Sequence, residues 1–459
     1  MATASIIKLQ VTQRPEYYRD GISEGATDKA SELLQKNHDT HHIFFNHDGF
    51  HNHIAHHLLT LWALRATEGE LQHAYDSNAG YQRPPGPLDQ SLVTDLHDPA
   101  RFARHLGNER HYHAFMIFFQ NEIAKTSMPE VVNHYLLAGT TQADDLLHRL
   151  FGGFLHPLIH LGFALESQQP ALVAEALAQA AVHSASMSPF FLLAEQAARD
   201  RADEPCSKTI VELLDEIHAD PEMRAAPRWS DGNKLRDGVV GRAAERMVSY
   251  TSRFRVEPDE LERKTAEMIN AVVYYTAGAQ REGYARKYDF YFSKANPKPN
   301  EPRAFPADDS IKVHCLNSSI CFSTFLHQPG ITPANQTRLL TYKVWTDLAM
   351  YASRASPPIR LDLVRQSPPK HPSDWDGIFD RVTALTDDDG HAAKLVRALA
   401  HGERVCAPWE GRGEFRVKAG DWVGMGHMAV DSVEAGEPRW VRSAGFDEAW
   451  EGVEVRAQL

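Results

Sequence analysis

Residues 170–187 read PALVAEALAQAAVHSASM, an apolar series at three-and-four spacing, which is the period of a helix and not of a strand. The same period recurs over residues 52–66, 100–124, 130–167, 259–279, 333–352 and 391–401, so the expected fold is mainly α. Strand-like alternation is confined to 414–418 (EFRVK) and 439–442 (RWVR), too little to build a sheet core. A few short peripheral strands near the C-terminus are the most it predicts.

Between the helical stretches, 199–236, 293–309 and 356–374 read as long loops, the last two rich in proline. Candidate site residues lie on both sides of all three and have to converge. The chain is therefore expected to be a single large helical domain over 1–459, with these loops as excursions from it. At 459 residues it has ample material for a buried core, and 42% hydrophobic with 24% charged residues is ordinary globular composition.

A formal net charge of -13 and the lack of a basic stripe exclude nucleic acid as a general partner, because phosphate backbones are bound by neutralising them. The first residues lack the pattern of a secretory signal, and no run reaches the ~18 apolar residues of a membrane span. A cytoplasmic protein without a membrane partner is expected. Cys206, Cys315, Cys321 and Cys406 form no CxxC pair, so a zinc ribbon or dithiol redox motif is excluded.

Histidine is the anomaly: 25 in all, with His38, His41, His42, His47, His51, His53, His56 and His57 within twenty positions. His53 and His57 are one helical turn apart and can face one point, as metal ligands do; a solvated His-rich helix start is the competing reading. His156 and His160 repeat that spacing in GGFLHPLIHLG (152–162). There Pro157 places His156 at a helix start or kink, so the two rings should be aimed differently; core histidines bonded to carbonyls are the alternative. His314 opens a very apolar segment with Asn317, Ser318 and Ser319. In DDDGHAAKLVR (387–397) an acidic helix start suits the N-terminal dipole and sets His391 and Lys394 at i,i+3 on one face, although such a lysine is usually a solvated charge. The glycine pattern GMGHMA (424–429) has no βαβ context, and no GxSxG, P-loop or HExxH motif occurs. A flavin or nicotinamide on a Rossmann domain is therefore not expected.

Taken together, Phe50-His51-Asn52-His53 with Tyr81-Gln82-Arg83-Pro84, the block from His156 to Gly162, His314 with Asn317-Ser318-Ser319, the run from Asp388 to Ala398 and the run from Trp440 to Trp450 resemble the questin oxidase family. The likeness extends over most of the chain. It implies a fungal type of non-haem iron oxygenase that opens an anthraquinone ring with dioxygen, formally a Baeyer-Villiger outcome, in polyketide secondary metabolism. By the same resemblance the metal ligands are His53, His156, His314, His391 and Lys394, the lysine carboxylated by carbon dioxide, with His57 and His160 as catalytic supports one turn beyond proposed ligands.

The implied cofactor is Fe(II), and the implied substrate is an aromatic polyketide in quinone or hydroquinone form. NADPH would serve its reduction, through a separate quinone reductase. Tyr112, Phe115, Phe118, Phe119, Phe151 and Phe154 are candidates for an aromatic wall against a planar substrate, with core packing as the alternative. Two other classes compete: a zinc-dependent hydrolase or metal-storage protein using the same histidines, and an NADPH- or flavin-assisted Baeyer-Villiger monooxygenase. Ligands spread from His53 to Lys394 favour one preorganised site over storage in the His-rich tract alone.

Overall fold

The computed structural model, described over residues 1–204, 208–289, 312–386 and 388–456, is built from helices. Those that bear on the site or the two cores are, in chain order, α1 (Glu24–Thr40), α2 (Ile54–Ala63), α3 (Tyr112–Lys125), α4 (Gly152–Glu166), α5 (Pro170–Val182), α6 (Leu261–Gly278), α7 (Lys312–Asn317), α8 (Ile320–His327), α9 (Pro333–Ala352), α10 (His391–Cys406) and α11 (Trp422–Glu434). No helix among the described residues is long and apolar enough to cross a membrane.

The chain divides into two compact units of three segments each. The first comprises Met1–Ser188, Asn317–Leu339 and Phe379–His401, the second Pro189–Leu316, Leu340–Ile378 and Gly402–Leu459. In the first unit α5 is the central helix, buried from Ala171 to Val182 and packed on α3 and α4. A helix buried on every side belongs in a core, which is why this stretch outweighs the amphipathic ones in deciding the fold. Helix α4 in turn packs on α2 and α8, and α1 lies on α2. Ser23 starts α1 by accepting the Ala26 N–H at 3.0 Å. Its inner face mixes Thr27, Ser31, Asn37 and His38 with Ala26, Ala30, Leu33 and Leu34, and this dilution hides its period in the sequence.

In the second unit α6 is buried along most of its length and packs beside the short helices Ile210–Ala219 and Leu361–Arg365. The expected loop over 199–236 is thus largely helical: Thr209 caps Ile210–Ala219 with Glu212 in a reciprocal capping box, and Ile210, Val211, Leu213, Leu214 and Ile217 are buried. Prolines and charges on either side conceal that short period. Within 356–374 the chain forms Leu361–Arg365, while 293–309 lies outside the described residues.

No strand forms among the described residues; three isolated bridges do, and two involve the tail, Tyr284 with Val455 and Asp289 with Val441. The alternation at 414–418 has a different cause. Phe415 and Val417 are fully buried, and Asn270 of α6 takes the place of a neighbouring strand, accepting the Val417 N–H at 3.1 Å and donating to its carbonyl at 2.9 Å. The glycine pattern at 424–429 lies inside α11, so it is no phosphate loop.

Candidate metal centre

Six of the eight crowded histidines, His38, His42, His51, His53, His56 and His57, are buried, so the tract is not a solvated surface. His53 occupies the N-cap position of α2. Its Nε2 lies 2.9 Å from His156 Nε2, with the two rings inclined by only 9°.

His156 reaches that position through an unusual turn. Gly153, Phe154 and Leu155 all hold left-handed backbone, with φ of 50°, 54° and 69°. Each non-glycine residue there costs on the order of 1–2 kcal/mol, a strain that persists only where the surroundings impose it. The regular helix resumes at His156, with Pro157 in the first turn, where a missing N–H is no loss. His156 Nδ1 donates to the Gly153 carbonyl at 2.5 Å, which leaves Nε2 as the lone-pair nitrogen facing His53. A side chain at Gly153 would overlap the rings of His183 and His51, themselves joined Nε2 to Nε2 at 2.7 Å.

His391 stands at the start of α10. Its Nδ1 donates to Asp389 Oδ1 at 2.5 Å, and the other oxygen of that carboxylate lies 3.7 Å from His53 Nδ1. Burial would raise Asp389, but the charge and hydrogen bond of His391, with His53 adding to both, hold its carboxyl well below the usual range. Locked at Nδ1, His391 also presents Nε2 as acceptor, edge to face with His53 at 4.5 Å between centroids. A ligand nitrogen of His53 and one of His391 lie within 4.8 Å of each other.

Asp388 accepts the Ala392 and Ala393 N–H groups at 3.3 Å and so caps α10. Gly390, at φ +94°, lets this helix start approach α2 where a Cβ would strike the His57 side chain. One turn into α10, Lys394 is buried at 3% exposure, and burial draws its amine down to about 8 against the opposing pull of Asp389 and Asp388. It is not a solvated charge.

This donor set suits a divalent transition ion. Two imidazoles are fixed through Nδ1 by a carbonyl and a carboxylate, the arrangement that orients metal-binding histidines. The 2.9 Å between His53 Nε2 and His156 Nε2 brings two ring nitrogens close enough for one ion to take both. Imidazole with one anionic oxygen does not by itself select the metal.

The remaining expected residues are placed as follows. His57 is buried beside Asp388, and its Nδ1 has no hydrogen-bond partner. His160 uses both ring nitrogens, Nε2 toward Glu175 at 2.8 Å and Nδ1 toward His56 at 3.0 Å. His314 is buried on α7 and belongs to the second unit, three residues before the chain passes into the first at Asn317. Phe115, Phe118 and Phe119 pack with Phe102 and Tyr135, and the Tyr112 ring lies 4.6 Å from that of His42. These four serve the core.

Asp389, Glu175, His38, His51, His56 and His183 do not stand out in the sequence as ring partners of this kind. One signal was present: Glu175 is the lone acid in the apolar run of α5, and a carboxylate in such a helix requires a partner.

The model of the questin oxidase-like family matches residues 50–399 of this chain. The chain is 38% identical to Baeyer-Villiger monooxygenase dmxR6 of Cryptosporiopsis sp., over 94% of each. It is 37% identical to Baeyer-Villiger oxidase ptaJ of Pestalotiopsis fici, again over 94% of each. To the questin oxidase of Aspergillus fumigatus it is 36% identical, over 98% of this chain and 99% of the relative.

Proposed function

The chain belongs to the questin oxidase-like family and is an oxidoreductase, and from that premise we propose that it opens an anthraquinone ring, taken as the reduced hydroquinone, with dioxygen. In this reading an Fe(II) ion is held by His53, His156, His314, His391 and Lys394. The observation that carries it is the meeting of His53 and His156 at 2.9 Å beside a His391 locked by Asp389, with a buried lysine one turn beyond. His314 joins through the family resemblance alone.

Only a neutral amine reacts with carbon dioxide, so an amine drawn down to about 8 supports a carboxylated Lys394 that adds an anionic oxygen to the histidine set. Bound iron would supply the one-electron chemistry that dioxygen requires. The protein's part is to fix the donors: Asp389 orients His391, the Gly153 carbonyl orients His156, and His57 and His160 support their neighbours. The hydroquinone is furnished by a separate NADPH-dependent quinone reductase in the cytoplasm. Both units form one catalytic domain, a reading favoured by their assembly from interleaved segments.

The test is metal analysis of purified protein together with oxygen uptake on a reduced anthraquinone. Iron near one equivalent, and uptake abolished by chelation and restored by Fe(II), are expected. A protein free of iron whose activity ignores chelators would overturn the reading, and turnover without oxygen uptake would point to a hydrolase.

A further inference from the structure

Behind the candidate centre, still within the first unit, four buried side chains from four helices form a continuous series. His38 Nδ1 of α1 lies 2.5 Å from Glu175 Oε1 of α5, and Glu175 Oε2 lies 2.8 Å from His160 Nε2 of α4. His160 Nδ1 lies 3.0 Å from His56 Nε2 of α2. None of the four exceeds 4% exposure. The Gln120 carboxamide closes the outer end, 2.9 Å from His38 Nε2.

The direction of every hydrogen follows from the carboxylate. Burial alone would raise Glu175, but the hydrogen bonds of His160 and His38, with the charge of His38 added, hold it down to about 2, so it is an anion and can only accept. The neutral imidazole of His160 then carries its one hydrogen on Nε2, which makes its Nδ1 the acceptor. His56 must donate from Nε2 and is left with a bare lone pair on Nδ1. That Nδ1 is buried and has no hydrogen-bond partner, the state in which this tautomer would leave it. His56 stands one helical turn after His53, with ring centroids 6.2 Å apart.

We propose that Glu175 is a positioning residue: through His160 it imposes one tautomer on His56, so that the imidazole row behind the metal centre offers an acceptor, and no N–H, one turn beyond His53. This rests on the proposed function for its catalytic consequence, though not for the tautomers themselves. In Glu175→Gln the amide places an N–H where one of the oxygens stood. When that N–H faces His160 it reverses both rings and puts a hydrogen on His56 Nδ1. His38→Gln leaves the bond from Glu175 to His160 in place.

Neutron diffraction from deuterium-exchanged, metal-free crystals reads the tautomers directly. Deuterium is expected on Nε2 of both His160 and His56, and deuterium on His56 Nδ1 would overturn the assignment. In the iron-loaded enzyme, Glu175→Gln should lose roughly 10- to 100-fold in kcat with KM and iron content unchanged, the scale on which groups outside the ligands of a metal centre act. His38→Gln should stay within about threefold of the parent kcat. Equal losses in the two variants would assign the effect to disturbed packing and overturn the positioning role, as would a parent-like kcat in Glu175→Gln. A protein with no iron and no oxygen uptake would instead overturn the proposed function, while the deuterium positions would still decide the tautomers.

Discussion

A primary amine surrounded by histidines and apolar side chains has one way to become a ligand of the harder kind, which is to gain an oxygen anion. Lys394 is suited to this because burial lowers the cost of its neutral form, and Asp389 and Asp388 offset that only in part. Lys394→Ala should therefore lose bound metal and activity together, with partial recovery on adding a short carboxylate such as acetate or propionate. Metal analysis of the purified variant checks it, and full metal content with full activity would eliminate the lysine as a ligand. Gly153 is decisive for a different reason. Alanine there would bring a Cβ to 2.3 Å from the His183 ring at φ +50°. The left-handed backbone alone costs on the order of 1–2 kcal/mol, and relieving the clash moves the turn that aims His156. Gly153→Ala should lower both the urea midpoint and the metal content; an unchanged metal content would show that His156 does not depend on this turn.

Helix α4 shows which parts of the centre were legible as elements. Its apolar period and the proline after His156 were visible, and they pointed to a helix start or kink at His156, which the turn at 153–155 forms. The three left-handed residues were not, because Phe154 and Leu155 have no intrinsic preference for positive φ and are held there by tertiary contacts. His53, His156, His391 and Lys394 stood near recognisable helix starts, but it is the family resemblance that singles them out as ligands among the other histidines. Their partners Asp389 and Glu175 were not legible as partners, since packing decides which carboxylate meets which ring. The far end of α4 carries another such pairing: Glu166 accepts from Arg397 of α10 at 2.5 and 3.1 Å, while Arg397 also donates to the Tyr17 carbonyl at 2.9 Å. Both side chains are under 8% exposed. Arg397→Met would leave the Glu166 carboxylate without a counter-charge, held only by the Glu16 N–H at 2.8 Å, and should cost about 3–5 kcal/mol in denaturant unfolding. A cost under about 1 kcal/mol would mean that the chain near Glu16 and Tyr17 opens to let water reach Glu166.

For the molecule as a whole, burying this many histidines couples stability to pH. His42 is drawn down to about 4 by burial and by Arg83, and His183 to about 4 by burial and by Arg149. His38 moves the other way, burial being outweighed by the hydrogen bond and charge of Glu175. The signs oppose each other in different windows. Between pH 6.5 and 4 the unfolded chain takes up protons at His42 and His183 that the folded chain refuses, so stability falls as the pH falls. Above 6.5 the folded chain retains a proton on His38 that the unfolded chain has released, so that contribution fades as the pH rises through the raised value. Each proton taken up only on unfolding contributes a slope of up to about 1.4 kcal/mol per pH unit. The metal-free protein should therefore lose urea stability steeply from pH 6.5 toward 4.5. His183→Asn, which keeps a polar partner for His51, should flatten that limb by up to about 1.4 kcal/mol per pH unit. If parent and variant follow parallel curves across this window, His183 is protonated in the folded protein, and the neutral pairing of His51 with His183 beside the Gly153 turn is wrong.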